Sequence, residues 1–527
     1  MTSALRSRDP AADLYEEARR LIDAGRDAEA SQRLDVAIAL KPDFAEAFAL
    51  GGYILERGGR AEVAMRFYER ALSLRREQPT VWFNLGKLLI RAGRFPEALA
   101  ALDAGLALKP GDADALNTRS AALRPLWRVE EAAEAARAAL RRRPQFPEAA
   151  LNLGTALLKA GKPEPALAAY RKAGALRRDY ADAICGEALA LTALGRLEQA
   201  ATAFDRAVAL GCREAVSGRG CLDLMLGRFE RGWEGYEARW VEGKSLAEAL
   251  GARYPLWLGP SSPPQRVLVI NDHGLGDTIQ FARYLPLMTR AGAEPHLLAP
   301  AKLHGLIGPL VEGRIFAREP AGLGFDSQIA ISSLPRAFGT RLDSVPGETP
   351  YLFAEEHRLA RWAAEIGKDG LRIGCVWQGN ANPEADISRS FALKELAPLA
   401  GVPGVRLVSL QKGFGEEQLW RDAPKFPVLR LSANFDAGGP AFLDTAAAMA
   451  SLDLVVTCDT SIAHLAGALG RPVWVALKQN SEWRWLRDRD DSPWYPTMRL
   501  FRQPAAGDWA GVFAAMADAL RVSRISA

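Results

Sequence analysis

The sequence stretch VLVINDHGLGDTIQFARYLP, residues 267–286, holds a carboxylate and an imidazole around two glycines: His273, Gly274, Gly276 and Asp277. Either Asp277 or His273 has the chemistry to take a proton from a hydroxyl, the first step in making that oxygen a nucleophile. A second group lies in VVTCDTSIAHLAGALGRP, residues 455–472, where Asp459, Thr460 and Ser461 open a helical pattern and His464 lies one turn in. Hydroxyls and free N–H groups at a helix start suit a phosphate, worth about 0.3–1 kcal/mol per charge when exposed and up to ~2 when partly buried. Arg389 and Lys412 each end a strand-to-helix connection, accompanied by Asn380 and Gln411. Arginine can grip two phosphate oxygens at once, and lysine acts as a point charge.

These residues need elements to hold them. Val267 to Ile270 is a short apolar run of the kind a buried parallel strand shows. Asn271 to Gly276 supplies turn formers, with Gly274 and Gly276 expected in backbone angles a side chain forbids, and Thr278, Ile279, Phe281 and Leu285 continue as a helix. That geometry is expected to aim free backbone N–H groups at an anion. GLGD is not the dinucleotide fingerprint GxGxxG. Further strands are expected at 296–300, 314–317, 327–332, 371–377, 405–413 and 427–433, and the run 443–477 reads as helix, strand, loop-helix and strand. Strands alternating with helices imply parallel sheets covered on both faces, with ligands outside the carboxyl ends of the strands. SEWRWLRDRDDSPWYP, residues 481–496, reads as a packed loop between lobes, and its Asp488-Arg489-Asp490 as solvated rather than metal-binding.

The first 240 residues carry a period of 34. Blocks start at Ala11, Ala45, Pro79, Ala113, Pro147 and Ala181 without gaps, and a seventh, shifted copy starts at Arg213. Gly25, Gly59, Gly93, Gly161 and Gly195 mark the turn between two helices, and Ala30, Ala64, Ala98, Ala132, Ala166 and Ala200 let those helices approach. The fourth block has Trp127 at the turn and Pro125 in its first helix, so a kink is expected there. Asn84 and Asn152 share one repeat position, where they either grip a peptide backbone or sit on a solvated helix face.

Composition excludes several classes. The formal net charge is +4, from 67 basic and 63 acidic residues, with no basic cluster to hold nucleic acid. Five scattered cysteines form no CxxC pair, which argues against structural zinc and a disulfide framework. No signal peptide or membrane span is read, so a soluble cytoplasmic protein is expected.

Two resemblances follow. The period and its glycine–alanine–aromatic set resemble the tetratricopeptide repeat (TPR), a solenoid whose groove binds proteins or peptides. From about residue 256 onward, GLGDTIQFARYLP and DTSIAHLA resemble the bacterial heptosyltransferase-like glycosyltransferases of GT-B fold. The combination is similar to bacterial repeat-plus-glycosyltransferase proteins, some of which modify flagellin. The fold implied is an α-helical TPR solenoid followed by an α/β GT-B fold of two Rossmann-like lobes. Its expected bounds are 11–240 for the repeats, 241–265 for a linker, 266–365 for an acceptor lobe and 366–527 for a donor lobe. The resemblance implies Asp277 as general base and, on the donor side, Gly274, Gly276, Asn380, Arg389, Gln411, Lys412, Asp459, Thr460, Ser461 and His464. The family's glycine is Ser461 here, which alters the closest approach to phosphate. His273, Asn84 and Asn152 are expected on the acceptor side. No cofactor or metal is implied beyond a nucleotide-sugar substrate, and the partner implied is a Ser/Thr-bearing protein such as flagellin. A lipid or polysaccharide acceptor, or a silent adaptor, are the other readings this sequence admits.

Overall fold

The computed structural model describes residues 9–240, 253–260, 265–379, 386, 388–422, 424–439 and 441–525. Asn380 and most of the expected linker lie outside them. The chain divides into two compact units, residues 1–190 and 191–527.

The first unit is built from paired antiparallel helices whose starts follow the sequence period. First helices begin at Pro10, Ala45, Pro79, Ala113 and Pro147, and second helices at Asp27, Ala61, Phe95, Val129 and Pro163. The alanine column is fully buried, with Ala30, Ala64, Ala98, Ala132 and Ala166 all at 0 % exposure, so nothing larger fits between the helices. Gly25, Gly59, Gly93 and Gly161 take φ of 70–74° at the turns, the left-handed conformation that stops one helix and starts the next. In the fourth repeat no kink forms. The helix Ala113–Leu123 ends early instead, before Pro125, and Trp127 adopts the turn conformation at φ 56° where the other repeats use glycine.

The second unit opens with the remaining repeat helices, including Leu197–Ala209, Arg213–Met225 and Phe229–Tyr236. Two parallel sheets follow. Strands β1 (Arg266–Ile270), β2 (Glu294–Leu298), β3 (Ile315–Phe316) and β4 (Ser327–Ala330) pair in the order β3-β2-β1-β4. Strands β5 (Leu371–Val376), β6 (Val405–Ser409), β7 (Val428–Arg430), β8 (Leu454–Cys458), β9 (Val473–Leu477) and β10 (Met498–Arg502) pair in the order β10-β9-β8-β5-β6-β7. Every residue of β4 and β8 is buried, as expected where helices cover both faces. The second sheet's core joins Trp377, Phe391, Val456 and Cys458 to Phe513 and Met516 of the closing helix Trp509–Ile525.

Strand β10 has no counterpart in the sequence reading. Its sequence MRLFR places Arg499 and Arg502 in a five-residue run, which breaks the apolar pattern, yet Met498, Leu500 and Phe501 are buried. An edge strand can keep its charges at the rim.

Strand order reverses once in each sheet, at β1/β4 in the first and at β5/β8 in the second. Loops leaving the carboxyl ends of those pairs must diverge, and the crevice between them is where open α/β sheets take ligands. Across the first crevice, Ser332 after β4 donates its backbone N–H to Asp272 Oδ1 after β1, at 3.2 Å. Across the second, a Cβ on Gly379 after β5 would stand 3.2 Å from the methyl of Thr460 after β8.

Candidate functional site

The two crevices meet. Gly276 of the first lobe lies against the start of the helix Ser461–Ala468 of the second, where a Cβ would stand 3.2 Å from Ser461 Cα and 3.0 Å from His464 Cδ2. Gly276 and Gly274 do not use left-handed angles, contrary to expectation. Gly274 has an ordinary φ of −70°, and Gly276 is small because the other lobe's helix passes over it.

The helix after β1, Leu275–Phe281, has only seven residues, and its own carboxylate serves its start: Gly274 N donates to Asp277 Oδ2 at 3.1 Å. The expected anion cradle there is thus occupied from within. The other oxygen of Asp277 accepts from the Arg484 guanidinium, which reaches in from the tryptophan-rich loop of the second lobe. Arg484 also donates to Gln280 Oε1 at 3.1 Å and Glu482 Oε2 at 2.8 Å. Burial pushes the Asp277 carboxyl up, but the Arg484 guanidinium outweighs it and holds the group below the usual carboxylate range. Asp277 is therefore an ionised, ion-paired group in this conformation, not a free carboxylate facing an open cleft. Nothing in the local sequence marked Arg484 or Glu482.

The second-lobe residues cluster as the sequence spacing required. Thr460 caps the helix Ser461–Ala468 by accepting from Ile462 N at 3.3 Å, and Ser461 is its first residue. His464 is buried, stacks on Trp485 with ring centroids 5.3 Å apart, and meets the Tyr495 hydroxyl through Nδ1 at 3.1 Å. Burial and the Arg484 charge hold its ring down to about 3, so it is neutral at working pH. Burial and Glu482 push the buried Asp459 carboxyl up to about 6, against the pull of Arg389 and Arg484. Near pH 7 a carboxyl with that value is still mostly ionised, so Asp459 repels an incoming phosphate and the neighbouring Arg389 has to offset it. Arg389 stands 3.6 Å from Glu482 Oε1, and Lys412 is exposed.

Two expected ligands have other tasks. Gln411 spends its amide on the backbone: Oε1 accepts from Trp377 N at 3.1 Å and Gln378 N at 3.0 Å, while Nε2 donates to Gln378 O at 3.0 Å and Phe414 O at 2.7 Å. All its capacity is used, so it clamps the β5 and β6 loops together rather than touching a ligand. The repeat asparagines form no open ladder. Asn152 is buried and donates to Asn117 Oδ1 at 2.7 Å, and Asn84 is half-buried, 3.4 Å from the Tyr68 hydroxyl.

His273 lies in the first crevice, 2.8 Å from Asp272 Oδ2 through Nδ1 and 3.2 Å from the Tyr236 hydroxyl through Nε2. Tyr236 comes from the last repeat helix, whose Trp233 packs edge-on against Trp483 at 5.3 Å and donates Nε1–H to Thr340 O at 2.9 Å. Phe229 of the same helix stacks on Trp494 at 6.2 Å. The loop 481–496 is thus packed against both lobes and the repeat end, while Asp488 and Asp490 point to solvent. Beside this junction is a cavity of about 360 Å³, walled by Glu230, Trp233, Glu234 and Glu237 on one side and by Trp257, Leu258 and Ser333 on the other.

Comparison with known proteins agrees with the first part of the chain. Residues 57–122 and 127–181 match the tetratricopeptide repeat family, and the chain carries these repeats. Protein FlbA of Caulobacter vibrioides is 29% identical over 333 residues, covering 58% of this chain and 54% of FlbA. The chain spans about half the length of that curated relative. Among solved structures, a tetratricopeptide repeat protein from Parabacteroides merdae covers 46% of this chain and 94% of its own, at 18% identity and a TM-score of 0.38. YrrB, a TPR protein with an unusual peptide-binding site, covers 34% of this chain and 91% of its own, at 20% identity and a TM-score of 0.31. Among the described residues no helix is long and apolar enough to cross a membrane.

Proposed function

We propose that the chain is a GT-B glycosyltransferase that moves a sugar from a nucleotide-activated donor to Ser or Thr of a protein recruited by its repeats. The observation that carries this reading is the meeting of two switch-point crevices, with Gly276 of one sheet's loop packed on Ser461 and His464 of the other's. A donor held at the second crevice and an acceptor hydroxyl at the first would then stand face to face. Repeats that bind protein supply the acceptor.

In this reading the second lobe holds the donor's phosphate through Thr460, Ser461 and Arg389, with Lys412 closing from the surface. Neutral His464, stacked on Trp485, can hydrogen-bond without adding charge. The acceptor oxygen attacks the anomeric carbon as the bond to phosphate breaks, and Arg389 stabilises the negative charge that develops on the leaving group. Asp277, the base implied by family resemblance, serves in that role only in a state where Arg484 has withdrawn.

Flagellin is the proposed acceptor. Intact mass spectrometry of secreted flagellin, with and without this gene, tests the reading. Loss of sugar-sized increments on deletion is expected; an unchanged mass removes flagellin as acceptor. Donor binding is tested separately by calorimetry with UDP, ADP and CMP, where Arg389→Ala and Lys412→Ala should weaken whichever nucleotide binds. Unchanged affinity in both variants removes the phosphate site.

A further inference from the structure

We infer that the proton acceptor of this site is a dyad, His273 held by Asp272, and that Asp277 is a positioning residue locked to Arg484. This deepens the glycosyltransferase reading and rests on it. Four observations carry it.

First, Asp272 is built to orient an imidazole. Its side chain is 2 % exposed and fixed by Ser332 N at 3.2 Å, by the Ser332 hydroxyl and by Arg239 at 3.3 Å, and its Oδ2 faces His273 Nδ1 at 2.8 Å. Burial pushes the Asp272 carboxyl up, but His273, Ser332 and Arg239 outweigh it and keep the group ionised. An ionised carboxylate only accepts, so His273 Nδ1 carries the hydrogen and Nε2 keeps its lone pair.

Second, that lone pair is capped by a weak donor. Tyr236 OH stands 3.2 Å from Nε2, and burial raises the phenol well above its ordinary range, so it remains a hydroxyl. An acceptor Ser or Thr hydroxyl makes the same hydrogen bond once Tyr236, 5 % exposed and packed on Trp233 and Trp483, gives way.

Third, the imidazole is reachable. The His273 side chain is 31 % exposed against 20 % for Asp277, and its Nε2 faces only the neutral Tyr236 hydroxyl, whereas the Asp277 oxygens are held by the Arg484 charge and by Gly274 N.

Fourth, the dyad adjoins the cavity described above. Ser333 and Glu237 form part of its wall, Ser333 donates to Glu237, and Arg239 donates to the Ser333 hydroxyl at 2.8 Å as well as to Asp272. Arg239, held by both Ser333 and Asp272, thus connects the cavity wall to the dyad.

The step balances. The acceptor O–H bond breaks as its proton passes to His273 Nε2, the oxygen forms a bond to the anomeric carbon, and the carbon–oxygen bond to phosphate breaks with its electron pair leaving on the nucleotide. Asp272 stabilises the imidazolium until the proton returns to solvent.

The test uses the full-length protein and flagellin purified from the strain lacking the gene. UDP-N-acetylglucosamine, ADP-heptose and CMP-nonulosonic acid are supplied together, and transfer is read by intact mass. His273→Gly should lose about 10²–10⁴ in rate, the usual worth of a general base, and added imidazole should restore part of it. Asp272→Asn should lose rate while still melting cooperatively above the assay temperature, at a midpoint lowered by the loss of its pair with Arg239. His273→Gln, which keeps the bulk and the hydrogen-bonding groups, should fold and stay inactive. Wild-type transfer rates in His273→Gly, or a loss that imidazole does not touch, overturn the dyad and leave the glycosyltransferase reading standing. No transfer by the wild-type protein overturns both.

Discussion

Gly276 and His464 belong to different lobes, yet a Cβ on Gly276 would stand 3.0 Å from the His464 ring. That separation is tighter than ordinary Cβ contacts, so a methyl group fits only if a neighbour gives by a few tenths of an ångström. The backbone of Ser461 lies 3.2 Å away on the same side, and His464 is pinned by Trp485 and Tyr495, so neither neighbour can retreat cheaply. Gly276→Ala should cost about 1–3 kcal/mol through overpacking. Thermal melting of the α/β unit reads this, and an unshifted midpoint would show that the lobes separate freely in solution.

Asp277 and Asp459 should pull the pH dependence of stability in opposite directions. Asp277 titrates lower in the folded state, so its contribution is complete above an unfolded carboxylate value near ~3.9 and fades as pH falls below it. Asp459 is raised to about 6, so the folded state binds its proton more tightly and loses stability as pH climbs from ~4 to 6. Asp459→Asn should therefore gain about 2–3 kcal/mol at pH 7.5 and nothing at pH 4. Melting midpoints at the two pH values decide it; an equal shift at both would mean that Asp459 is ordinary.

His464 should remain neutral across the physiological range. Nitrogen NMR of the imidazole rings between pH 5 and 8 should show no titrating signal from this residue. Because the unfolded ring takes a proton near ~6.5 and the folded ring only near 3, its linkage favours folding above ~6.5 and is lost progressively as pH falls. A His464 signal that titrates near neutrality would place the ring in water and undo the packed arrangement with Trp485.

Gly93→Ala isolates a backbone effect in the repeats. Gly93 has φ 72° and a Cβ there would meet nothing within 4 Å, so the substitution strains the turn without a clash. A cost of about 1 kcal/mol is expected, read as a shift in the repeat unit's urea transition. Trp127→Gly, at a repeat turn where a non-glycine takes φ 56°, should move that transition the opposite way, less the loss of the Lys159 charge 4.6 Å over the Trp127 ring.

The repeats were legible because their information is local. A glycine stop, an alanine column and a proline start recur within each block of 34, and each block packs mainly on its neighbours. The buried strands were legible for the same reason, as short apolar runs between turn residues. Arg484 was not. It sits in a loop crowded with charges, and its partner Asp277 is 207 positions away, so no local pattern encodes the pair. The Tyr236–His273 contact was hidden likewise, since Tyr236 counts in sequence as an ordinary repeat position. Gly276 was read as a residue chosen for its angles. Only the approach of the second lobe shows that it was chosen for its size.

The boundary where repeats give way to the α/β body does not coincide with a place to cut. Phe229, Trp233 and Tyr236 lie in the last repeat helix by sequence, but Trp483 and Trp494 bury their rings against them. An expression clone begun after Trp240 would bare those indoles and remove the hydroxyl that caps His273, inviting aggregation of an otherwise intact body. A fragment meant to stand alone should carry the helix Leu197–Ala209 and everything after it.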